Sequence, residues 1–253
     1  METEKLVEDL RRIGLRKGDL VMVHSSYKSL GIDNPEEIIL ALLGVLGETG
    51  TLLFPALSYM QDPPHIHNTL STPGCVGYLA EYFRLRSGTR RSLHPTHSVC
   101  AVGYHTSEML DDHILDVTPC GEHSPFNKLL HWGGKILMLG CGLEPNTSMH
   151  AIEEYARPPY LFGDPLVYTI TDASGKTFQK EYIQHNFAGV IQRYDRVEGI
   201  LEGGQLVAGK VGRADSYLID CGALFVRALA KIKENPLYFV DPDGKRTALG
   251  DES

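Results

Sequence analysis

Hydrophobic residues in the first half of the chain follow two different periodicities. Four short apolar segments, the first of them rich in β-branched residues, predict buried strands, at Asp19–His24, Thr51–Pro55, Val99–Val102 and Ile136–Leu139. Segments with a helical repeat lie beside and between them, at Lys5–Ile13, Glu36–Leu46, Gly77–Leu85, Thr106–Leu110 and Phe126–His131. Strands that alternate with helices in this way are typical of an α/β sheet.

The second half of the chain has a different pattern. Leu166–Tyr168 and Lys176–Tyr182 predict an antiparallel pair around a turn at Ala173–Gly175. Asp215–Lys233 predicts a C-terminal helix, and the charged residues from about 242 predict a loose tail. No repeat or linker divides the chain. We therefore expect residues 1–253 to form a single α/β domain, with a mixed central sheet flanked by helices, parallel toward the N-terminus and antiparallel toward the C-terminus.

Composition limits the classes of partner. The 253 residues carry a formal net charge of −8, which disfavours nucleic acid as a partner and suits a cationic small molecule. No apolar run approaches the roughly 20 residues of a membrane span, and the acidic N-terminal segment has no signal-peptide core. The five scattered cysteines contain no Cys-x-x-Cys pair. This argues against a disulfide framework and indicates reduced thiols, so we predict a cytoplasmic protein that does not bind a membrane.

The segment Leu137–Tyr160 is the strongest candidate for chemistry. It predicts a buried strand, a tight glycine turn at 140–142, and a short helix that begins near Asn146 or Thr147 and ends before Pro158. His150 would lie in the first turn of that helix, with the two glutamates at 153 and 154 on the same face. A histidine beside a carboxylate just beyond a strand end suits proton transfer. The alternative is an ordinary helix start with a surface or core histidine.

Other segments are ambiguous when each is taken alone. The loop Ser25–Gly31 joins a strand to a helix and could receive an anion or an amide chain, although it matches no nucleotide-binding motif. Arg90 and Arg91 could hold phosphate or could be solvated charge. Histidine pairs at 65/67 and 94/97 lack a third metal ligand at diagnostic spacing. Cys141 could be a nucleophile or simply a small buried residue.

In their order along the chain these segments resemble one family. The matching pieces are Val23–Ser26 with Leu30–Gly31, Gly50–Pro55, Gly77–Arg84, Arg91–Ser98, Ser124–Pro125, Gly133–Leu137, Asn146–Glu153 and Gly209–Gly212. Over nearly the whole chain the sequence is similar to the aminoglycoside 3-N-acetyltransferases, the antibiotic acetyltransferases that are unrelated in fold to the GNAT enzymes.

The resemblance implies that the protein transfers an acetyl group from acetyl-CoA to an amine. In the family this is classically the 3-amino group of an aminoglycoside, and the transfer gives antibiotic resistance. The resemblance further implies that His150 is the catalytic histidine and that Glu153 is the carboxylate beside it. Residues that would hold acetyl-CoA are Ser25, Ser26, Ser29, Leu30 and Gly31 around the pantetheine arm, with Arg91, Ser92 and Ser98 near the phosphates or the thioester.

The chemistry of the reaction agrees with these roles. An ammonium group must lose a proton before its nitrogen can attack, and an imidazole with a pKa of about 6.5 is suited to remove it. Thr147 or a backbone N–H at the helix start could stabilise the oxyanion. No covalent intermediate is needed, which makes Cys141 dispensable, and no metal is expected. Candidate groups for binding a polycationic substrate are Asp62, Glu122 and Glu154.

Three rivals remain open at this point. The first is the same transfer to a different amine, because the loops Tyr59–Thr72 and Asp111–Glu122 follow no single familiar subgroup. The second is a metal-dependent hydrolase that uses the histidines at 65, 67, 94, 97 and 150. The third is a CoA-binding module without catalysis. A homodimer is also possible.

Overall fold

A computed structural model describes residues 2–243, and twelve strands and eight α-helices lie within that range. The strands are β1 Leu20–Ser25, β2 Thr51–Pro55, β3 Ile66–Asn68, β4 Arg90–Arg91, β5 Val99–Gly103, β6 Lys135–Leu139, β7 Phe162–Thr171, β8 Thr177–His185, β9 Val190–Gln192, β10 Leu206–Val211, β11 Ala214–Asp220 and β12 Val240–Pro242. The helices are α1 Glu2–Arg12, α2 Tyr27–Leu30, α3 Pro35–Leu46, α4 Tyr78–Leu85, α5 Thr106–Leu110, α6 Pro125–His131, α7 Met149–Ala156 and α8 Cys221–Glu234. Two 3₁₀ segments occupy Asp111–Leu115 and Tyr194–Gly199.

The central sheet has seven strands in the order β10-β11-β6-β1-β2-β5-β4. Strand β1 is parallel to both β2 and β6, and the other neighbouring pairs are antiparallel. The mixed sheet is therefore confirmed. The expected division into a parallel first half and an antiparallel second half is only approximate, because β5 already runs antiparallel to β2.

The side chains of successive β1 residues point to opposite faces of the sheet. Val21 and Val23 pack into a core with α1, α3 and α4, whereas Leu20 and Met22 pack into a second core with α6, α7 and α8. Successive side chains of a strand point to opposite faces, so a strand covered by helices on both sides is apolar throughout. This accounts for the uninterrupted apolar runs that predicted the strands.

Outside the central sheet, the C-terminal half contributes the β7–β8 hairpin and two shorter strands, β9 and β12. Strands β7 and β8 form the predicted antiparallel pair, but they are longer than predicted and β3 joins them as a third strand. Strand β9 pairs with β12. The predicted helix Asp215–Lys233 is wrong in its first part, because 214–220 alternates buried and exposed residues and forms β11. Helix α8 begins only after Asp220, whose side chain accepts the backbone N–H of Ala223.

The first residue of the predicted tail, Pro242, is still part of a strand. Pro242 still pairs with Val190 in the β12–β9 ladder, and the residues from 244 onward lie outside the described part of the chain. No helix within residues 2–243 is long and apolar enough to cross a membrane.

Arg91 joins the edge of the sheet to the loop that follows β2. All five guanidinium N–H groups are committed to protein acceptors: Ser98 Oγ, the carbonyl oxygens of Thr72, Thr69 and Ala56, and Ser58 Oγ. Burial lowers the pKa of Arg91 to about 10, so the group stays charged at neutral pH. The expectation that Arg91 grips a phosphate therefore does not fit its contacts, because no donor remains for one.

The Arg91 contacts predict a specific stability effect. Arg91→Lys keeps the charge but cannot reproduce the planar fork, so buried carbonyls lose donors and the free energy of unfolding should fall by about 2 kcal/mol. The matched control is Arg90→Lys. Arg90 is half exposed, with Asp111 and Ser107 as partners, and its substitution should cost about 0–0.5 kcal/mol in the same urea titration. Equal effects of the two substitutions would contradict the structural role of Arg91.

Candidate active site

A cleft of about 810 Å³ opens at the carboxyl ends of β1, β2 and β6. Its walls come from six parts of the chain: the end of β1 with Ser25, the residues after β2 with Tyr59, the segment from Cys75 to Ala80, the residues Thr96 and His97 before β5, the loop 144–147 with the start of α7, and the segment from Gln184 to Tyr194. Clefts at the carboxyl ends of parallel strands are the usual ligand sites of open α/β sheets. The expected region of the fold thus contains a cavity of the size of a small-molecule site.

His150 and Glu153 form the pair that their spacing predicts. The His150 Nδ1 lies 3.1 Å from Glu153 Oε2, and the Glu153 side chain is fully buried. Two tyrosines complete the surroundings of this carboxylate: Tyr194 donates to Oε2 at 2.7 Å and Tyr160 donates to Oε1 at 2.9 Å. Burial and the nearby Glu153 raise the pKa values of both phenols, so both remain protonated donors.

The hydrogen bonds fix the orientation of the His150 ring. Its Nδ1 also lies 2.9 Å from the Tyr194 hydroxyl oxygen, and that hydroxyl gives its own proton to Glu153. Because a carboxylate can only accept, the proton of the neutral ring is on Nδ1 and the lone pair is on Nε2. Since His150 lines the cleft, Nε2 is the nitrogen available to a bound molecule. Such a ring can remove a proton.

The helix that carries His150 begins later than the sequence indicates. Its N-cap is Ser148, without a side-chain capping bond, and α7 starts at Met149. The side chains of Asn146 and Thr147 are therefore not used for capping, and both residues line the cleft. Asn146 is fully buried, and its amide has no hydrogen-bond partner among the described residues. The Asn146 amide therefore has hydrogen-bonding groups that no described residue satisfies, whereas the sequence suggested only a helix cap.

Two further histidines meet His150 in the cleft. The ring centroids of His97 and His185 lie 6.0 and 5.2 Å from that of His150, and 5.3 Å from one another. Burial, and then the neighbouring histidines, lower the pKa values of His97 and His185 well below the ordinary range, so both rings are neutral. The histidine pair at 94/97 gave a weak signal for His97. His185 comes from the far end of a hairpin, and no sequence motif indicated it.

The other histidines of the predicted metal pairs have different surroundings. His94 Nδ1 accepts the backbone N–H groups of Thr96 and His97, so this ring shapes the turn before β5. The His94 ring stacks on His113 at 4.9 Å. His67 is buried in β3, and neither His67 nor His65 is part of the cleft lining formed by residues 2–243. The expected pair at 65/67 is therefore not brought to the cleft.

Of the residues expected to hold acetyl-CoA, Ser25 lines the cleft and the rest serve the surrounding structure. Ser26 precedes α2, and the Ser29 hydroxyl donates to the carbonyl oxygens of Ser26 and Gly140. Leu30 is fully buried, and Gly31 ends α2 with a φ of 68°. Of the remaining two, Ser92 Oγ accepts the backbone N–H of Val99, and Ser98 Oγ donates to the Ala56 carbonyl oxygen. These residues shape the loop that presents Ser25 and the wall beside it.

The three predicted substrate-binding carboxylates lie away from the cleft surface. Asp62 and Glu122 are exposed and are outside the lining formed by the described residues. Glu154 is largely enclosed and accepts from Thr118, the Cys120 N–H and His185 Nε2. Burial raises the pKa of Glu154 to about 7. Glu144, which the sequence did not single out, lines the cleft instead.

Cys141 has the properties of a structural residue. Its Sγ donates weakly to the His24 carbonyl oxygen at 3.5 Å. Burial and the nearby Glu144 raise the pKa of the thiol to about 12. Because the thiolate is the nucleophilic form, Cys141 is unreactive at neutral pH.

Comparisons with known proteins agree on one family. A sequence model of the aminoglycoside 3-N-acetyltransferase family matches residues 22–233. Aminoglycoside N(3)-acetyltransferase IV from Salmonella sp is 30% identical over 241 residues, which cover 94% of this chain and 90% of that protein.

Two solved structures have the same fold. A histidine-to-alanine mutant of aminoglycoside acetyltransferase AAC(3)-IVa in complex with gentamicin matches with a TM-score of 0.82 and 28% identity, covering 95% of this chain and 91% of that one. AAC-IIIb, solved as a binary complex with CoASH, matches with a TM-score of 0.80 and 28% identity, covering 95% and 98%.

The site geometry predicts opposite tautomers for two neighbouring histidines. His150 should carry its proton on Nδ1, toward Glu153, and His185 should carry its proton on Nε2, toward Glu154. Nitrogen NMR of protein labelled at histidine distinguishes the two forms by their one-bond N–H couplings and ring cross-peaks. A proton on Nε2 of His150 in the free protein would contradict the orientation derived for the ring.

Proposed function

The chain belongs to the aminoglycoside 3-N-acetyltransferase family, and we propose that it transfers the acetyl group of acetyl-CoA to the 3-amino group of an aminoglycoside. The observation that carries the proposal is the His150–Glu153 pair at 3.1 Å, in the first turn of a helix that borders the cleft. It provides an imidazole that is bonded to a carboxylate through Nδ1 and offers Nε2 to the cleft, which is the arrangement that activation of an amine requires.

His150 is the general base in this proposal. The ammonium group of the acceptor first releases one proton to solvent, and His150 Nε2 then takes a second proton from the resulting neutral amine as its nitrogen attacks the thioester carbonyl carbon. The new C–N bond forms, the C–S bond breaks, and the thiolate of CoA leaves with the proton that the imidazolium returns. The acetyl group passes directly from sulfur to nitrogen. The raised pKa of Cys141 supports this direct route, because that thiol is not ionised.

Glu153 stabilises the charge that His150 acquires. Its carboxylate is fully buried, so its attraction for the imidazolium is weakly screened by solvent. The hydroxyls of Tyr160 and Tyr194 hold both carboxylate oxygens in place and limit the motion of the ring. These contacts support a positioning role for the tyrosines, which do not need to touch the substrate.

Thr147 and Asn146 are the proposed donors to the oxyanion of the tetrahedral intermediate. Both line the cleft one turn before His150. The Asn146 amide is buried without a partner in residues 2–243, so its N–H groups would not have to break an existing bond to donate. A donor that is already oriented stabilises developing charge without reorganisation.

The two substrates enter from different walls in this proposal. Ser25 and the neighbouring residues Val76 and Ala80 offer the wall for the pantetheine arm of acetyl-CoA, the ligand type seen with AAC-IIIb. Elsewhere in the lining, the carboxylate of Glu144 and the amides of Gln184 and Asn186 would bind the amines and hydroxyls of an aminoglycoside. Gentamicin in the AAC(3)-IVa complex is a ligand of this class.

We further propose that one domain performs the reaction and that it does so in the cytosol. The five free cysteines fit a reducing compartment, and acetyl-CoA is a cytosolic metabolite. A homodimer stays a prediction from the sequence.

Loss of His150 should affect turnover far more than it affects binding of the acetyl donor. His150→Ala should lower kcat for an aminoglycoside by about two to four orders of magnitude, because the general base is lost, and leave the Kd for CoA nearly unchanged. Release of CoA thiol gives the rate, and calorimetric titration gives the Kd. Cys141→Ser is the control, and its kcat should stay within about twofold of the natural protein.

Near-normal turnover by His150→Ala would contradict the mechanism. Absence of turnover by the natural protein on a panel of aminoglycosides that includes gentamicin and apramycin would contradict the acceptor class. NMR of the product locates the acetyl group, and acetylation at a position other than the 3-amino group would contradict the regiochemistry.

A further inference from the structure

The three histidines of the cleft form a cluster with the composition of a metal site. One ring nitrogen from each of His97, His150 and His185 lies within 4.8 Å of the other two. The three residues come from a loop before β5, from helix α7 and from the end of β8. Sites of three imidazoles are a standard arrangement for Zn²⁺ that keeps an open fourth position.

In each ring of this cluster one nitrogen is bonded to the protein and the other is available. Glu153 occupies Nδ1 of His150, Glu154 occupies Nε2 of His185, and Thr96 Oγ1 lies 2.9 Å from Nδ1 of His97. The buried Nδ1 of His185 has no partner among the described residues. Histidine ligands of metals nearly always have their second nitrogen bonded to a carboxylate or another oxygen, and these three rings have that arrangement.

The charge of the surroundings also suits a divalent cation. The carboxylates of Glu153 and Glu154 are hydrogen-bonded to the rings of His150 and His185. Together they can balance the two positive charges of the ion. The rings would need to move only modestly, since tetrahedral coordination at about 2.0–2.1 Å from the metal brings nitrogens to about 3.4 Å from one another.

We propose that His97, His150 and His185 bind Zn²⁺ and that the bound ion inhibits acetyl transfer. The ion occupies the Nε2 lone pair of His150, which is the same lone pair that accepts the proton of the amine. A cation at that point also repels the ammonium group of the acceptor. Inhibition rests on the proposed function, whereas the binding site rests on the cluster itself.

The first test measures binding without reference to activity. The full chain is stripped with a chelator, and Zn²⁺ is titrated against a colorimetric competitor. One ion per chain should bind, and Co²⁺ at the same site should give the visible absorption of tetrahedral coordination. His185→Ala and His97→Ala should each weaken Zn²⁺ binding by at least about tenfold, and Glu154→Gln, which removes only the outer partner, by about tenfold.

The matched control for these variants is His105→Gln. His105 is a partly exposed histidine at the start of α5, outside the cluster, and its replacement should leave Zn²⁺ affinity unchanged. Because Glu154→Gln keeps the shape of the side chain, it tests the site even if a histidine variant fails to fold. Zn²⁺ binding that none of the cluster variants weakens, or no binding by the natural chain, would overturn the proposal.

The second test measures inhibition. Zn²⁺ should slow CoA release in competition with the aminoglycoside, and a chelator should restore the rate. Inhibition should be at least about tenfold weaker in His185→Ala, with each variant compared with its own rate in chelator. Faster turnover with Zn²⁺ would overturn the inhibitory role. Zinc binding without turnover on any aminoglycoside would contradict the proposed function instead, so the two failures are distinguishable.

Discussion

The buried carboxylate of Glu153 is the constraint on which the site depends. An ionised group removed from water is costly unless its oxygens are paired, and unpairing it would cost several kcal/mol. Here three partners from different parts of the chain converge on it: His150 in the same helix, Tyr160 just beyond that helix, and Tyr194 in the following 3₁₀ segment. The three hydrogen bonds to this carboxylate therefore fix the position of the His150 ring, of the residues just after α7 and of the 3₁₀ segment that lines the cleft.

The sheet determines where this group can act. Strand β1 lies between two parallel neighbours, so the segments that follow β1, β2 and β6 emerge at one edge. The C-terminal hairpin then closes the cleft from the other side and adds His185. We propose that the resulting site serves two chemistries, since the lone pair of His150 that accepts a proton can also bind a metal ion.

Local features of the site could be predicted from the sequence, and contacts distant in the chain could not. The three-residue spacing of His150 and Glu153 is a property of any helix, so their pairing followed directly. His185 and Tyr194 lie more than 30 residues away and carry no motif, and only the folded chain brings them to His150. Asp62 and Glu122 are predicted from charge alone, and Arg91 from its charge together with the family resemblance. Charge does not reveal whether a side chain faces a cleft, faces solvent or is committed to backbone carbonyls, as Arg91 is.

The most direct measurement is a crystal structure of the chain with CoA and an aminoglycoside bound together. It should place the 3-amino nitrogen about 3 Å from His150 Nε2, with the CoA sulfur on the opposite side of that nitrogen and Glu153 still bonded to Nδ1. A ternary complex in which another amine faces His150, or in which Glu153 has left the imidazole, would contradict the assignment of His150 as the base that activates the 3-amino group.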